Sequence, residues 1–168
     1  MNTRLDSDHT RPQWYDETAY GRIIMTGRDA AALLQRLTSN DVLALRDGQG
    51  MQTVLTTPIG RIIDVLHVVR IADVLWVMTS PGQGPTVYSH LKKNIFFNDQ
   101  VTLAPAARSH QQLAVYGDGA RAWLAQQFGI DAAPARWHVV VHPAGSEHGW
   151  CSPIAPLRGD GWRVVVPD

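Results

Sequence analysis

Apolar positions along this chain recur at two spacings, one for strands and one for helices. "GRIIMT" (21–26) reads as a strand that Gly27 breaks, and "RDAAALLQRLT" follows as a helix. Leu33, Leu34 and Leu37 supply its i, i+1, i+4 stripe. Asp29 stands near its start, where a carboxylate meets free backbone N–H groups and the positive end of the dipole. "SND" and "RDGQG" are turn material. Strands follow over 51–57, 61–70 and 74–79, turning at Pro58–Ile59–Gly60 and at Ala72–Asp73. After the loop "SPGQGP" (80–85), "TVYSHLKKNIF" places Val87, Leu91 and Ile95 four residues apart, as a packed helix does. Residues 1 to about 18 are polar and proline-containing, which predicts a poorly ordered arm.

The second half repeats the first. Setting Gly27 over Gly117 places Ala30 over Ala120, Ala32 over Ala122 and Leu34 over Leu124. Strand, glycine turn and alanine-rich helix recur, and "HVVVH" (138–142), "GWCSPIA" (149–155) and "GWRVVV" (161–166) supply three more strand candidates. The counterpart of helix 85–95 would fall past Asp168. The expected organisation is a polar arm over 1–19, a first α/β subdomain over 20–104, and a second over 105–168 that lacks its final helix. A sheet face without its helix calls for cover. The expectation is therefore a homodimer or a partner chain, with Trp150 and Trp162 at the contact.

Composition narrows the function. The 168 residues, 45% hydrophobic, can bury a core as one compact unit or two small subdomains. Zero formal net charge provides no field for nucleic acid or an anionic membrane, so neither is expected as a partner. The start carries no apolar signal-peptide core and no stretch reaches a membrane span, which makes a cytoplasmic location the expectation. Cys151, the single cysteine, cannot form an internal disulfide or a cysteine-built metal site. His138 and His142 flank three valines. In a strand their imidazoles stand roughly 13 Å apart, too far to share a metal. No nucleophile elbow, phosphate loop or dinucleotide fingerprint is present, and no metal site is expected.

Several short motifs in order carry a family resemblance. Gly-x-Asp-Ala before the leucine helix, the Thr/Ser-Asn-Asp-Val turn (39–42), Asp47-Gly48, and Gly-Arg-Ile-Ile-Asp (60–64) together resemble the folate-binding domain of the glycine cleavage T-protein, an aminomethyltransferase. The same domain occurs in folate-binding proteins of iron–sulfur cluster maintenance and in the small subunit of heterotetrameric sarcosine oxidase. The resemblance implies an α+β fold of two ferredoxin-like β2-α-β3-α subdomains with swapped strands, the second incomplete here. It also implies tetrahydrofolate as the ligand and a role in one-carbon metabolism. A complete T-protein continues past the length seen here into a further helix and a β-barrel domain.

The resemblance also marks what has changed. Where the aminomethyltransferases carry two consecutive aspartates, this chain has Asp64 and then Val65, and Val65 takes the place of the catalytic one. Adjacent strand residues face opposite sides, so Asp64 cannot substitute for Val65 without a bulge or register slip. An expected aromatic is Gln52, an expected asparagine is Thr79, and an expected glutamate is Gly159. Whether the chain is an enzyme is thereby left open. The expected pocket lies where residues 52–55, 63–67 and 76–80 converge, with Gln52, Val65, His67 and Thr79 nearest the ligand. Asp64 reads either as a carboxylate paired with an arginine or backbone N–H groups, or as an anchor for a pterin-like ring. His67 shares the Val65 face of its strand and reads either as structural or as a polar group for the cavity. Three roles follow: a ligand-binding module without its own aminomethyl transfer, a folate-dependent aminomethyltransferase, or an accessory subunit like the small chain of sarcosine oxidase.

Overall fold

The computed structural model describes residues 12–129, 137–154 and 160–168. Its strands are β1 (Gln13–Asp16), β2 (Tyr20–Thr26), β3 (Gln49–Thr56), β4 (Ile62–Ile71), β5 (Val74–Pro81), β6 (Thr102–Pro105), β7 (His110–Tyr116), β8 (Val140–Val141), β9 (Trp150–Pro153) and β10 (Gly161–Pro167). Among the described residues the helices are α1 (Ala30–Leu37), α2 (Gly84–Lys93) and α3 (Ala120–Phe128). The strands form two five-stranded antiparallel sheets, ordered β3-β4-β5-β2-β6 and β8-β9-β10-β7-β1.

The two orders match position for position, and the repeat seen in the sequence is therefore a repeat of architecture. Gly27 and Gly117 hold the same backbone conformation, φ 102° and 109°, at the turn before α1 and α3. At Gly27 a Cβ would lie 2.1 Å from the Gln100 carbonyl oxygen, so glycine is required for packing as well as for the turn. The edge strands are exchanged: β1 precedes β2 yet pairs with β7, and β6 precedes β7 yet pairs with β2. The polar start is therefore not simply a loose arm, because Gln13–Asp16 closes the second sheet by backbone hydrogen bonding that needs no apolar side chains.

Asp29 occupies the N-cap of α1 but makes no side-chain cap. Its Oδ2 instead accepts from Gln100 N at 2.8 Å, tying the helix start to the strand entering β6. Val87 and Leu91 are buried on α2 as their spacing predicts, while Ile95 lies beyond the helix end and is partly buried.

Three apolar layers hold the molecule together. One joins α1 and α2 to the first sheet through Leu33, Leu34, Leu66, Val77, Val87 and Leu91. A second lies between the sheets, where Val69, Trp76 and Met78 meet Trp150 and Val165. The third joins α3 to the second sheet through Leu124, Phe128, Cys151, Trp162 and Val164. Trp150 and Trp162 are 0% and 2% exposed, so neither lies at an open contact face. Period-2 reading places both in strands but cannot show that the outer faces of those strands are covered from two sides by the chain's own sheet and helix.

Alongside α3, where the first half seats α2, the second sheet bears a groove lined by Trp14, Leu113, Trp123, Phe128, Val164 and Val166. Trp14 is 41% exposed there and meets Trp123 edge-on at 4.2 Å.

Candidate functional site

The β3–β4 register decides which predicted residues meet. Gln52 pairs with His67 and Val54 with Val65, which puts all four on the face turned toward the second sheet. Gln52 and Val65 lie where that sheet no longer covers them. Val65 is 48% exposed, and with half-buried Val54 it makes a small apolar ledge whose rim is Gln52. His67 closes the inner end and is 4% exposed.

Asp64 faces the other way and is 6% exposed. Its Oδ1 accepts from Val65 N at 2.8 Å and its Oδ2 from Ser80 N at 2.9 Å, so both oxygens serve backbone donors where β4 and β5 part. This is the structural reading of Asp64, and it ties the carboxylate down. A register shift does occur between Leu55 and Thr56, but it lies before Asp64, and the pairs Leu55 with Asp64 and Val54 with Val65 stay in phase. Asp64 therefore never reaches the ledge. Thr79 is also on the far face. Its hydroxyl accepts from Gly21 N at 3.0 Å and donates to Ser80 O at 2.9 Å, and it is 2% exposed. His67 pairs with Met78, which leaves Thr79 one position out of phase with the ledge. Gly159 lies outside the described residues.

Behind the ledge the structure assembles a buried polar cluster. Arg163 on β10 donates from Nε to Glu17 Oε2 at 2.8 Å and from Nη2 to Glu17 Oε1 at 3.2 Å, a two-pronged ion pair. Its Nη1 lies 2.9 Å from His67 Nδ1. Gln112 adds an Nε2 bond to Glu17 at 2.7 Å, and the Tyr20 ring lies 5.6 Å from the guanidinium carbon. Since arginine only donates, His67 Nδ1 accepts and the ring proton sits on Nε2. That N–H is buried without a hydrogen-bond partner among the described residues. Sequence reasoning missed Glu17, Gln112 and Arg163. A charge inside "WRVVV" was the available signal for Arg163, as it was for Asp64; Glu17, in a polar stretch, offered none.

Burial, followed by the adjacent Arg163 charge, pushes the His67 pKa down from 6.5 to about 3. The folded chain therefore holds His67 neutral, while the unfolded chain protonates it below about 6.5. Its contribution to stability is complete above that value and is lost as pH falls toward about 3, by up to about 1.4 kcal/mol per pH unit. Urea midpoints measured from pH 7 to pH 4 are expected to fall more steeply for the wild type than for His67→Gln. Equal slopes would refute this.

The remaining chemistry is limited. Burial pushes the Cys151 thiol up to about 12, which removes it as a thiolate nucleophile at neutral pH. Among the described residues no group of His, Cys, Asp or Glu is placed to hold a metal ion. No helix there is long and apolar enough to cross a membrane.

Together, two exchanged halves with a ledge and a buried ion pair at their junction define a two-sheet α+β fold. The family model described as the GCVT N-terminal domain matches residues 9–141, and the chain belongs to that family. An aminomethyltransferase of Prosthecochloris aestuarii is 34% identical over 104 residues, covering 61% of this chain and 29% of that protein. An aminomethyltransferase of Chlorobaculum parvum is 27% identical over 158 residues, covering 92% of this chain and 43% of that protein. A putative chloroplastic transferase of Arabidopsis thaliana is 31% identical over 102 residues, covering 61% and 24%. The chain thus spans less than half the length of these curated relatives. Among solved structures, the glycine cleavage system aminomethyltransferase T from Bartonella henselae superposes with a TM-score of 0.80 at 20% identity, covering 95% of this chain and 43% of that one. The heterotetrameric sarcosine oxidase from Corynebacterium sp. U-96 superposes at 0.64 with 9% identity, covering 96% and 78%. These two likenesses concern the fold.

Proposed function

We propose that this chain is a binding module of the T-protein fold that holds tetrahydrofolate or a similar planar ligand on the β3–β4 ledge and carries out no aminomethyl transfer of its own. The observation that carries this reading is the ledge itself. Val65 stands half-exposed where the resemblance calls for the acid, and the neighbouring carboxylate is bonded to backbone on the opposite face. Exposed apolar surface at Val65 beside the Gln52 amide, which both donates and accepts, offers contacts to the face and the polar edge of a ring. Membership of a family whose relatives are aminomethyltransferases supports the ligand class. Titration with tetrahydrofolate and 5-formyltetrahydrofolate tests it. Saturable binding that weakens at least tenfold in Val65→Arg, with Thr79→Val unaffected, is the expected result. No binding at millimolar ligand, or binding indifferent to Val65→Arg, would overturn it.

A second reading, an accessory subunit, is favoured by the groove beside α3. In the first half the equivalent face is filled by α2, which buries Val87 and Leu91. An amphipathic helix of similar length, from a longer form of this chain or from a partner, is the occupant that this repeat of architecture suggests. Each apolar side chain buried there contributes ~1.5–3 kcal/mol. With the products of neighbouring genes co-expressed, light scattering at micromolar concentration is expected to show a complex that Val166→Glu abolishes. A monomer that stays monomeric with every neighbouring gene product co-expressed would refute this reading.

A further inference from the structure

The second half of the chain reaches the inner end of the ledge through one aromatic side chain. Gly50 N donates to Trp137 O at 2.6 Å and Val139 N donates to Gly48 O at 2.8 Å, so residues 137–139 run along the outer edge of β3. Gln49 and His138 form a bridge between those two bonds. The Trp137 indole lies edge-on to the His67 ring, with centroids 5.1 Å apart and planes at 64°. His67 in turn pairs with Gln52, which places the indole where the ledge ends. Trp137 is partly exposed.

The backbone at Trp137 is unusual. Among the described residues two non-glycine residues hold a positive φ, Ala72 at 51° and Trp137 at 69°. Ala72 lies in the two-residue turn between β4 and β5, where such a φ is usual. For a bulky aromatic the left-handed region is an outlier, and glycine would hold the same φ without strain. Strained residues of this kind cluster at ligand-binding sites. Gly50 makes room beside the same histidine, since a Cβ there would lie 3.1 Å from His67 Nε2 and 3.2 Å from Val69 Cγ2. Val54 and Val65 offer a floor to one face of a ring, and Gln52 meets its edge. The indole is the aromatic surface available to complete the enclosure.

We propose that Trp137 is a ligand-binding residue of the ledge, its indole forming the inner wall against which an aromatic ring lying over Val65 comes to rest. The second half of the chain thereby selects a ligand with an aromatic ring at its inner end. This role rests on the ledge being the binding site.

The test uses the chain carrying 5-fluorotryptophan, with the Trp137 fluorine resonance assigned by its loss in Trp137→Phe, and 5-formyltetrahydrofolate as probe. That resonance is expected to shift saturably with ligand. Trp137→Gly keeps the φ and the bond from Gly50 N while removing the ring, and is expected to weaken binding about fivefold to tenfold, whereas Trp137→Phe stays within about twofold. The loss in Trp137→Gly is expected to persist in a His67→Gln background; its disappearance there would show that Trp137 acts only through His67 and would overturn direct contact. Binding that Val65→Arg weakens but Trp137→Gly leaves unchanged would overturn this proposal and spare the ledge. No binding to the unaltered chain would overturn both. Should Trp137→Gly fold poorly by its urea midpoint, the unaltered chain still decides: a Trp137 resonance unmoved at saturating ligand overturns the proposal.

Discussion

Glu17→Ala is expected to lower unfolding free energy by about 3–5 kcal/mol, since removing one partner of a buried pair leaves the other charge without compensation. Glu17 and Arg163 side chains are 9% and 14% exposed, and both carboxylate oxygens are engaged by the guanidinium. Truncation would leave Arg163 facing neutral His67 and would also strip Gln112 of its acceptor. Glu17 enters from the segment after β1, so the loss falls on the strand exchange as well as on the junction of the sheets. The double variant Glu17→Ala/Arg163→Met is expected to recover part of the loss, because no uncompensated charge then remains. Urea unfolding of the four species of this cycle provides the check. A single-variant loss below about 1 kcal/mol would show that water already screens the pair.

The second large effect concerns chemistry. Supplied with an aminomethylated lipoyl carrier and tetrahydrofolate, the chain is expected to turn over at least ~10²–10⁴-fold more slowly than an enzyme with its acid in place, the usual cost of removing a positioned proton-transfer group. Val65 offers no proton, and Asp64 is held by Val65 N and Ser80 N on the opposite side of the sheet. Val65→Asp is the informative variant. The position is 48% exposed, so a carboxylate there escapes the desolvation penalty of a core site, and the change is expected to leave stability within about 0.5 kcal/mol. Appearance of turnover in Val65→Asp would show that the rest of the constellation is intact. Comparable turnover in the unaltered chain would remove Val65 from the argument altogether.

Elements whose signal is local are legible in the amino-acid sequence. The stripe Leu33, Leu34, Leu37 marks α1, the β-branched runs mark β4 and β5, and Gly27 and Gly117 mark equivalent turns, because these follow from side-chain spacing and backbone freedom within a few residues. The same logic places Asp64 and Val65 on opposite faces, since alternation along a strand needs no partner to define it. It fails for Thr79, where the phase between β4 and β5 matters. That phase is set by the pairing of His67 with Met78, which residue spacing within either strand does not encode.

What only the tertiary structure decided depends on contacts between distant segments. The meeting of Glu17, His67 and Arg163 joins residues 146 apart at its ends, and nothing local distinguishes Glu17 from the rest of a polar stretch. The exchange of β1 and β6 between sheets is a matter of backbone hydrogen bonding, to which side-chain pattern contributes little. Burial of Trp150 and Trp162 likewise followed from which layer covered each face. Strand periodicity determines that a side chain leaves the sheet on a given side; packing alone determines whether it meets another layer there, as Trp150 does, or solvent, as Val65 does.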